Sequence, residues 1–308
     1  MRHVHCDLCG ADDAALFAER HAGPQVLHPR FVRCRRCGFV YADPRADASD
    51  ATAFYSAVSH RGSSALGTSL SSQEWADAVA ARRRHLDRVD VRAERPRYLE
   101  IGFGDGSGLA AAVELGWEAH GIEYADWLVG QVGSRVPDAA VELADVEALA
   151  ARGDRFDVVY AWHVIEHALD IDAWLSSITS LLSAGGVLML GTEDADGVYG
   201  PIWAAPWRLT GKIPMPPTST DHTYWFSPEA LDEVLRRHGL IPREIRVYEN
   251  SPIEIVRGQS RSSLANPRWL ATLAVYLVAS SLAQIVPRAG GKLQVVAHRS
   301  ARDSHTEP

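Results

Sequence analysis

Three ionisable side chains in the middle of the chain have a spacing that supports metal chemistry. His163, Glu166 and His167 form the pattern H-x-x-E-H, which one class of zinc proteases uses. In those enzymes both histidines lie on one helix, one turn apart, and bind zinc while the glutamate acts as general base. The pattern therefore indicates a protease only if the surrounding sequence predicts a helix at this place.

A second group of metal-ligand side chains lies near the N-terminus. All four cysteines fall in two C-x-x-C-G knuckles, Cys6 with Cys9 and Cys34 with Cys37. This is the spacing of a four-cysteine zinc ribbon, in which the glycine after each pair lets the backbone reverse. Two disulfides are the alternative, which a reducing cytosol disfavours. Because four thiolates complete the coordination shell, we expect a structural Zn²⁺ ion.

Composition limits the classes of function. The chain has 308 residues, of which 46% are hydrophobic and 23% charged, as in an ordinary globular protein with a full core. The formal net charge of −8 disfavours a protein that mainly binds nucleic acid and suits a small or neutral substrate. Polar residues occupy the first positions, where a secretory signal would be apolar, so we expect a cytoplasmic protein.

From Arg97 onwards, short apolar segments alternate with helical ones. Strands are predicted in RYLEI, WEAHGIEY, RFDVVYAW and VLMLGT, with helices between them. This alternation predicts an α/β fold with a parallel sheet and helices on both faces. We predict a zinc ribbon over residues 1–45, a helical connector over 46–95 and the α/β domain over 96–308. A helical insertion is expected at about 260–288, before the last strand.

A glycine-rich turn follows the first of these strands. It contains Gly102, Gly104 and Gly106. The dinucleotide-binding fingerprint G-x-G-x-x-G does not fit, because no glycine occupies its third position in either frame. The pattern present instead is an acid, Glu100, followed by glycines at every second position, Gly102, Gly104 and Gly106. In parallel sheets ligands bind outside the carboxyl ends of the strands, which is where this turn lies.

This turn resembles the first motif of the class I S-adenosylmethionine-dependent methyltransferases, and the resemblance covers about Arg97 to Glu249 in the family's order. It implies a Rossmann-like, seven-stranded sheet whose last strand is antiparallel, with S-adenosylmethionine as cofactor. Glu123 would bind the ribose hydroxyls and Asp145 the adenine amino group. The cofactor-binding residues that the resemblance implies are Glu100, Gly102, Gly104, Gly106, Glu123, Tyr124, Asp145, Val146, Trp162 and His163.

The N-terminal segment FVRCRRCGFVYADPR is similar to the zinc-ribbon segment of bacterial methyltransferases that modify sugars, polysaccharides and natural products. The pair Phe54-Tyr55 resembles an aromatic pair that follows the ribbon there. One departure concerns the turn after the fifth strand, where many relatives have Thr-Pro-Asn and this chain has Gly191-Thr192-Glu193-Asp194. That turn borders the acceptor site, so the resemblance is weakest where the acceptor is selected.

Within this frame His163 ends the fourth strand, which argues against a protease. A milder metal hypothesis stays open, because related quinone-pathway O-methyltransferases have a Glu-x-x-Glu-His run here that can bind a metal. In this chain His163 replaces the first ligand of that run. The alternative is structural: backbone contact with the cofactor for His163, and capping of the next helix by Glu166 and His167.

A hydroxyl acceptor benefits from a base that takes its proton. The expected catalytic residues are His222, His167 and His163, with Asp194 behind them. We favour His222, because the segment TDHTYWFS belongs to a long loop that would cover the acceptor; pinning this lid is its alternative role. The aromatic residues of the region indicate lid packing more than a sugar-stacking platform: Trp203, Trp207, Tyr224 and Trp225.

The uncharged stretch 269–286 raises the question of a membrane span. A span would put the last two strands, REIRVYE and KLQVVAH, on opposite sides of a bilayer, so we predict a surface helix instead. We favour protein packing for its apolar face, against the domain or against a second subunit in a dimer, and a peripheral position at the inner membrane face is the alternative. This face comprises Leu270, Leu273, Leu277, Val278, Leu282 and Ile285.

The resemblance implies S-adenosylmethionine-dependent methyl transfer, and we expect oxygen as the nucleophile and a small-molecule or sugar or glycan-type acceptor. One alternative is C-methylation of a nucleotide sugar. Another is a methyltransferase that the ribbon guides to RNA or protein, although the net acidity disfavours nucleic acid as a partner. The intact glycines and acids disfavour an inactive scaffold.

Overall fold

The computed structural model describes residues 1–19, 26–59, 70–197, 221–250, 252, 267–286 and 288–300. Two compact units are present. The first comprises Met1–Ala46, Thr192–Leu231 and Ile245–Gln294, and the second comprises Asp47–Gly191, Asp232–Glu244 and Val295–Pro308. The domain boundaries at 45/46 and 95/96 stay a prediction from sequence.

The first unit contains a small sheet that includes one cysteine knuckle. Its four strands are β1 (Ala14–Glu19), β2 (Arg30–Cys34), β3 (Val40–Ala42) and β9 (Tyr224–Trp225), paired antiparallel in the order β1-β2-β3-β9. The buried side chains at the centre of this sheet include Phe31, Val40 and Ala42. The ribbon sheet thus takes its last strand from a segment far along the chain, which the sequence had not indicated.

The second unit carries a seven-stranded sheet. Its strands are β4 Arg97–Ile101, β5 Glu118–Glu123, β6 Ala140–Leu143, β7 Phe156–Trp162, β8 Leu182–Glu193, β10 Leu240–Tyr248 and β11 Lys292–Arg299. Their order in the sheet is β10-β11-β8-β7-β4-β5-β6. Strands β8, β7, β4, β5 and β6 are parallel, and the last strands are antiparallel. This confirms the predicted fold class.

Helices connect the strands, and their first residues carry recognisable capping signals. The bounds are α1 Ala48–Ser59, α2 Ser72–Leu86, α3 Ser107–Glu114, α4 Asp126–Arg135, α5 Val146–Ala151, α6 Ile171–Leu181, α7 Pro228–Arg237 and α8 Pro267–Ile285. Ser71 and Glu74 form a reciprocal capping box at the start of α2, and Asp170 caps α6 through the Ala173 N–H. Local chemistry therefore fixes where these helices begin.

The core of the second unit lies against the strands, which are apolar on both faces. Val158, Val159 and Leu188 are fully buried, as expected for parallel strands covered by helices on both sides. On one face, buried residues of α2 and α3 join those of β4 and β7 in one cluster, which includes Val79, Leu86, Leu109, Tyr98 and Tyr160. This packing holds α2 and α3 against the strands that carry the predicted cofactor residues.

Helix α8 agrees with the predicted surface helix. Leu273 is buried, whereas Leu270, Val278, Leu282 and Ile285 are exposed, so the predicted apolar face is not buried as a whole. None of the described helices combines the length and apolar character that a membrane span needs. Trp203, Trp207, residues 260–266 and residue 287 lie outside the described residues, as does the side chain of Tyr55.

Candidate active site

The predicted cofactor residues meet at one edge of the large sheet. Strands β4, β5 and β6 follow one another in one direction across the sheet, and β7 then pairs on the other side of β4. The order of strands therefore reverses between β4 and β7, which makes this the topological switch point where open α/β sheets bind ligands. The residues at these carboxyl ends are the Gly102–Gly106 turn, Glu123, Asp145 and His163.

The glycine turn has a backbone that other residues would strain. Gly102, Gly104 and Gly106 adopt φ values of +66°, +52° and +80°, in the left-handed region that favours glycine. A side chain at Gly102 would meet Val164, and one at Gly106 would meet Val132, whereas the space beside Gly104 is open. Gly104 is therefore the point of this turn that a ligand can approach closely.

Glu123 lies beside this open position. Its Oε2 accepts from the Gly104 N–H at 3.4 Å, and its Oε1 accepts from the Tyr124 N–H at 2.8 Å. Burial raises the pKa of the Glu123 carboxyl, although these backbone donors oppose the shift. A half-buried carboxylate held by backbone donors keeps acceptor capacity for two neighbouring hydroxyls, as the predicted ribose contact requires.

Asp145 and its neighbours occupy the next strand end. The Asp145 carboxylate caps α5 by accepting from the Ala148 N–H at 2.6 Å, and it is exposed. Val146 buries its side chain, which leaves its backbone as the group that could face a ligand. Tyr124 is 64% exposed. This arrangement fits the predicted adenine contacts, because one carboxylate oxygen stays available to an amino group.

Glu100 is placed differently from the other predicted residues. It is only 4% exposed, and its carboxylate lies so close to Gly108 of α3 that any side chain at Gly108 would collide with it. Burial raises the pKa of the Glu100 carboxyl to about 8, although the Arg82 guanidinium lowers it. The acid is therefore held beneath the first turn of α3, where it supports the glycine turn from inside.

A polar cluster from α2, which was not predicted from the sequence, lies at the end of β7. Arg82 donates to the Tyr160 hydroxyl at 3.0 Å, and its guanidinium lies 5.5 Å from the ring centre of Trp162. The ring of His85 lies 4.7 Å from that of Trp162. The only signal of this cluster in the sequence is the arginine run Arg82–Arg84, whose local pattern does not distinguish a buried guanidinium from a solvated one. The structure brings these side chains to the strand end that carries the predicted residue Trp162.

The H-x-x-E-H pattern does not lie on one helix. His163 follows β7 with a φ of +56°, and its N–H donates to the Gly191 carbonyl at 2.9 Å. Its Nδ1 lies 2.9 Å from Oε1 of the buried Glu166, and Ile165–His167 form one turn of 3-10 helix. The histidine arrangement of a zinc protease is therefore absent from this segment. A strained backbone at a strand end is typical of functional sites.

His222 lies in the first unit and is 5% exposed. Its Nδ1 is 3.5 Å from Oε2 of Glu193, and its ring meets Trp225 edge-on, with the ring centres 6.1 Å apart. The neighbouring Asp194 is also buried, and burial raises the pKa of its carboxyl to about 6. The partnership of His222 with Glu193 was not predicted. A carboxylate beside an imidazole can orient the ring and stabilise its charged form.

The four cysteines come together in the first unit. Cys6 and Cys37 have their Sγ atoms 3.5 Å apart, as do Cys9 and Cys34, and all four sulfurs lie within 4.8 Å of one another. No disulfide joins them. The glycine after each knuckle adopts positive φ, as predicted. Burial raises the pKa of the Cys34 thiol, but hydrogen bonds from the backbone N–H groups of Cys37 and Arg36 lower it. The net result is a pKa of about 7.

Comparison with known proteins gives one matching family and several relatives. A family profile described as "Methyltransferase domain" matches residues 72–244. The ubiquinone biosynthesis O-methyltransferase of Cereibacter sphaeroides (strain KD131 / KCTC 12085) is 30% identical over 167 residues, covering 51% of this chain and 65% of that protein. The protein of the same name from Chelativorans sp. (strain BNC1) is 26% identical over 211 residues, covering 63% of this chain and 78% of that protein.

A solved structure shares the fold. The S-adenosylmethionine-dependent methyltransferase from Archaeoglobus fulgidus has a TM-score of 0.50 and 17% sequence identity, covering 73% of this chain and 94% of that chain. At this identity the likeness concerns the fold alone. The match to the Cereibacter protein spans less than two thirds of that relative's length.

The buried acid Glu100 predicts a pH-dependent stability. Its folded pKa of about 8 lies above its ordinary value of 4.5, so the folded protein holds a proton that the unfolded chain releases. Stability should therefore fall as pH rises from about 5 to about 8, by an amount on the order of a few kcal/mol. Urea unfolding across this range should show the fall in the unmodified protein and a flatter profile in Glu100→Gln. Parallel profiles for the two proteins would contradict this assignment.

Proposed function

Because this chain belongs to the class I S-adenosylmethionine-dependent methyltransferases, we propose that it transfers the methyl group of S-adenosylmethionine to a hydroxyl oxygen of a small-molecule acceptor. The observation that carries this proposal is the open backbone at Gly104 beside the Glu123 carboxylate, at the switch point of the sheet. The turn offers close approach to a ligand, and Glu123 offers two acceptor oxygens.

The residues present fit the cofactor. Glu123 would accept from the ribose hydroxyls, and the free oxygen of Asp145 would accept from the adenine amino group beside the Val146 backbone. When bound, S-adenosylmethionine supplies a methyl group on a positively charged sulfur. The protein's part is to align the acceptor oxygen with that carbon and to exclude water, since alignment contributes much of the rate in such displacements.

Oxygen is the favoured nucleophile. The relatives from Cereibacter and Chelativorans are both named as O-methyltransferases, which supports the same bond type here. Bound S-adenosylmethionine would supply the methyl group and retain the electron pair of the carbon–sulfur bond, while a base of this chain would receive the proton of the acceptor hydroxyl. An acceptor of the quinone-biosynthesis type would follow these names. The sugar or glycan-type acceptor rests on the sequence resemblance of the ribbon segment alone.

We propose His222 as the base that receives the acceptor proton. Its neighbour Glu193 supports this role, because a carboxylate at 3.5 Å from Nδ1 stabilises the imidazolium that proton uptake produces. Its burial also supports the role, because a buried imidazole keeps a fixed orientation. The pairing of His163 with Glu166 gives that ring a local structural partner instead.

We propose further that the four cysteines hold one structural zinc ion. A tetrahedral site with zinc–sulfur bonds of about 2.3 Å places its sulfurs roughly 3.8 Å apart. The observed separations, 3.5 Å within two pairs and below 4.8 Å overall, fit that geometry. The ion would supply cross-linking of the two knuckles and no chemistry, because four thiolates leave no open position.

Cofactor binding can be tested without the acceptor. Calorimetry should detect S-adenosylmethionine or its demethylated product and no binding of NAD. Glu123→Gln should weaken cofactor binding by about 1–3 kcal/mol, because the hydrogen bonds to the ribose are lost. Glu118→Gln is the matched control, since Glu118 begins the same strand at its opposite, exposed end. Tight NAD binding without any response to S-adenosylmethionine would refute the proposed activity.

Metal analysis tests the zinc proposal. The purified protein should contain about one zinc per chain, and the double variant Cys34→Ser/Cys37→Ser should lose it and be less stable. His5→Gln serves as control, because His5 adjoins Cys6 but belongs to an exposed His–Asp cluster rather than to the four thiols. If chelation abolished turnover while fold and cofactor binding stayed intact, the ion would be catalytic and the structural assignment wrong.

Turnover of the His222 variant tests the proposed base. Radiolabelled methyl transfer to a panel of phenols and sugars first identifies an acceptor. With it, His222→Gln should lower turnover by about 10²–10⁴-fold at unchanged S-adenosylmethionine affinity. His120→Gln is the control, because His120 also pairs with a glutamate, Glu142, but lies within β5. Normal turnover of the His222 variant would transfer the role to His167 or His163. If glutamine variants of His222, His167 and His163 all stayed active, alignment alone would carry the reaction.

A further inference from the structure

A buried arginine connects the first cysteine knuckle to β9. Arg45 is 3% exposed and binds the Asp7 carboxylate with two parallel hydrogen bonds, Nη1 to Oδ1 at 2.8 Å and Nη2 to Oδ2 at 2.6 Å. Its Nη1 also donates to the Tyr224 hydroxyl at 2.9 Å, and its guanidinium lies 4.8 Å from the centre of the Tyr224 ring. A paired charge in this environment fixes the geometry of all three side chains.

Asp7 and Tyr224 connect this triad of side chains to two different parts of the first unit, the first cysteine knuckle and β9. Asp7 is the residue after Cys6 and therefore sits inside the loop of the first knuckle. The Tyr224 hydroxyl completes the triad by donating to Asp7 Oδ1 at 3.2 Å, and its ring stacks on Phe39 with the centres 5.6 Å apart. The loop that presents the thiols is thus joined to a side chain of β9.

The segment that carries the proposed base is held by the same strand pairing. Tyr224 pairs with Tyr41 of β3, and the Thr223 carbonyl accepts from the Ala42 N–H at 2.8 Å. His222 directly precedes Thr223 and faces Glu193. The backbone on which His222 sits is therefore fixed on one side by β3 and by the side-chain triad.

We propose that Asp7, Arg45 and Tyr224 are positioning residues that fix the His222–Glu193 pair, so that the cysteine knuckle has a part in the reaction without contacting the reacting atoms. This rests on the proposed role of His222 as base. The two-residue strand β9 has few backbone hydrogen bonds of its own, and the triad supplies the additional constraint. The small sheet is then an orienting frame for a catalytic side chain as well as a metal-binding fold.

The test observes the His222 ring directly. The chain has 13 histidines, so the imidazole signal of His222 in histidine-labelled protein is assigned by its loss in His222→Gln. Tyr224→Phe removes one hydroxyl of the triad and Asp7→Asn removes its charge. Both variants should move the His222 signal by more than its linewidth, or split it into two, with zinc content and S-adenosylmethionine affinity unchanged.

Two controls separate the triad from general effects. Tyr41→Phe removes a buried hydroxyl on the neighbouring strand, and Asp12→Asn removes an exposed carboxylate just beyond the first knuckle. Neither should move the His222 signal, whereas Asp12→Asn should move that of His3, its 2.7 Å partner. An unchanged His222 signal in zinc-replete Tyr224→Phe would overturn the proposal, whatever the fate of Asp7→Asn. Because this readout needs no acceptor, it can fail or succeed independently of the proposed methyl transfer.

Discussion

The left-handed turn after β4 is the constraint on which the α/β unit depends. Three glycines with positive φ bring the chain from the strand into α3, and two of them have no room for a side chain. Gly108 extends this close approach into the first turn of the helix, against the buried Glu100 carboxylate. The space beside Gly104, next to Glu123, stays open, whereas Val164 and Val132 fill the space beside Gly102 and Gly106.

The acids of the chain show how position controls a common side chain. Burial raises the pKa of Glu100 to about 8 and that of Asp194 to about 6, and it also raises the pKa of Glu123. Glu142 shows the opposite effect, because hydrogen bonds from Arg152 and His120 lower its pKa to about 2. A carboxyl pKa that burial raises shows that the fold buries this group at a cost in stability. Such costs are typical of binding and catalytic sites. Glu142 has the environment of a surface ion pair.

The small sheet of the first unit shows how a cysteine knuckle and a strand from a distant part of the chain can depend on each other. Strand β9 has two residues and, among the described strands, lies at the edge of the small sheet beside β3. So short a strand forms few hydrogen bonds of its own, and side chains restrain it in addition to the backbone hydrogen bonds that the flanking residues Thr223 and Phe226 accept. Stacking on Phe39 and the buried Arg45–Asp7 pair supply that restraint. The cysteine knuckles and the segment of His222 therefore share one set of packing contacts.

The sequence by itself determined the alternation of strands and helices, the glycine turn, the acids at the strand ends and the two cysteine knuckles, because these depend on local periodicity and on short fixed spacings. Only the tertiary structure decided that Glu100 lies beneath α3, that Arg82 reaches the end of β7 and that Glu193 faces His222. It also decided that residues 224–225 complete the ribbon sheet. These contacts join residues far apart in the chain, and no local pattern records them, because they arise from how the elements pack.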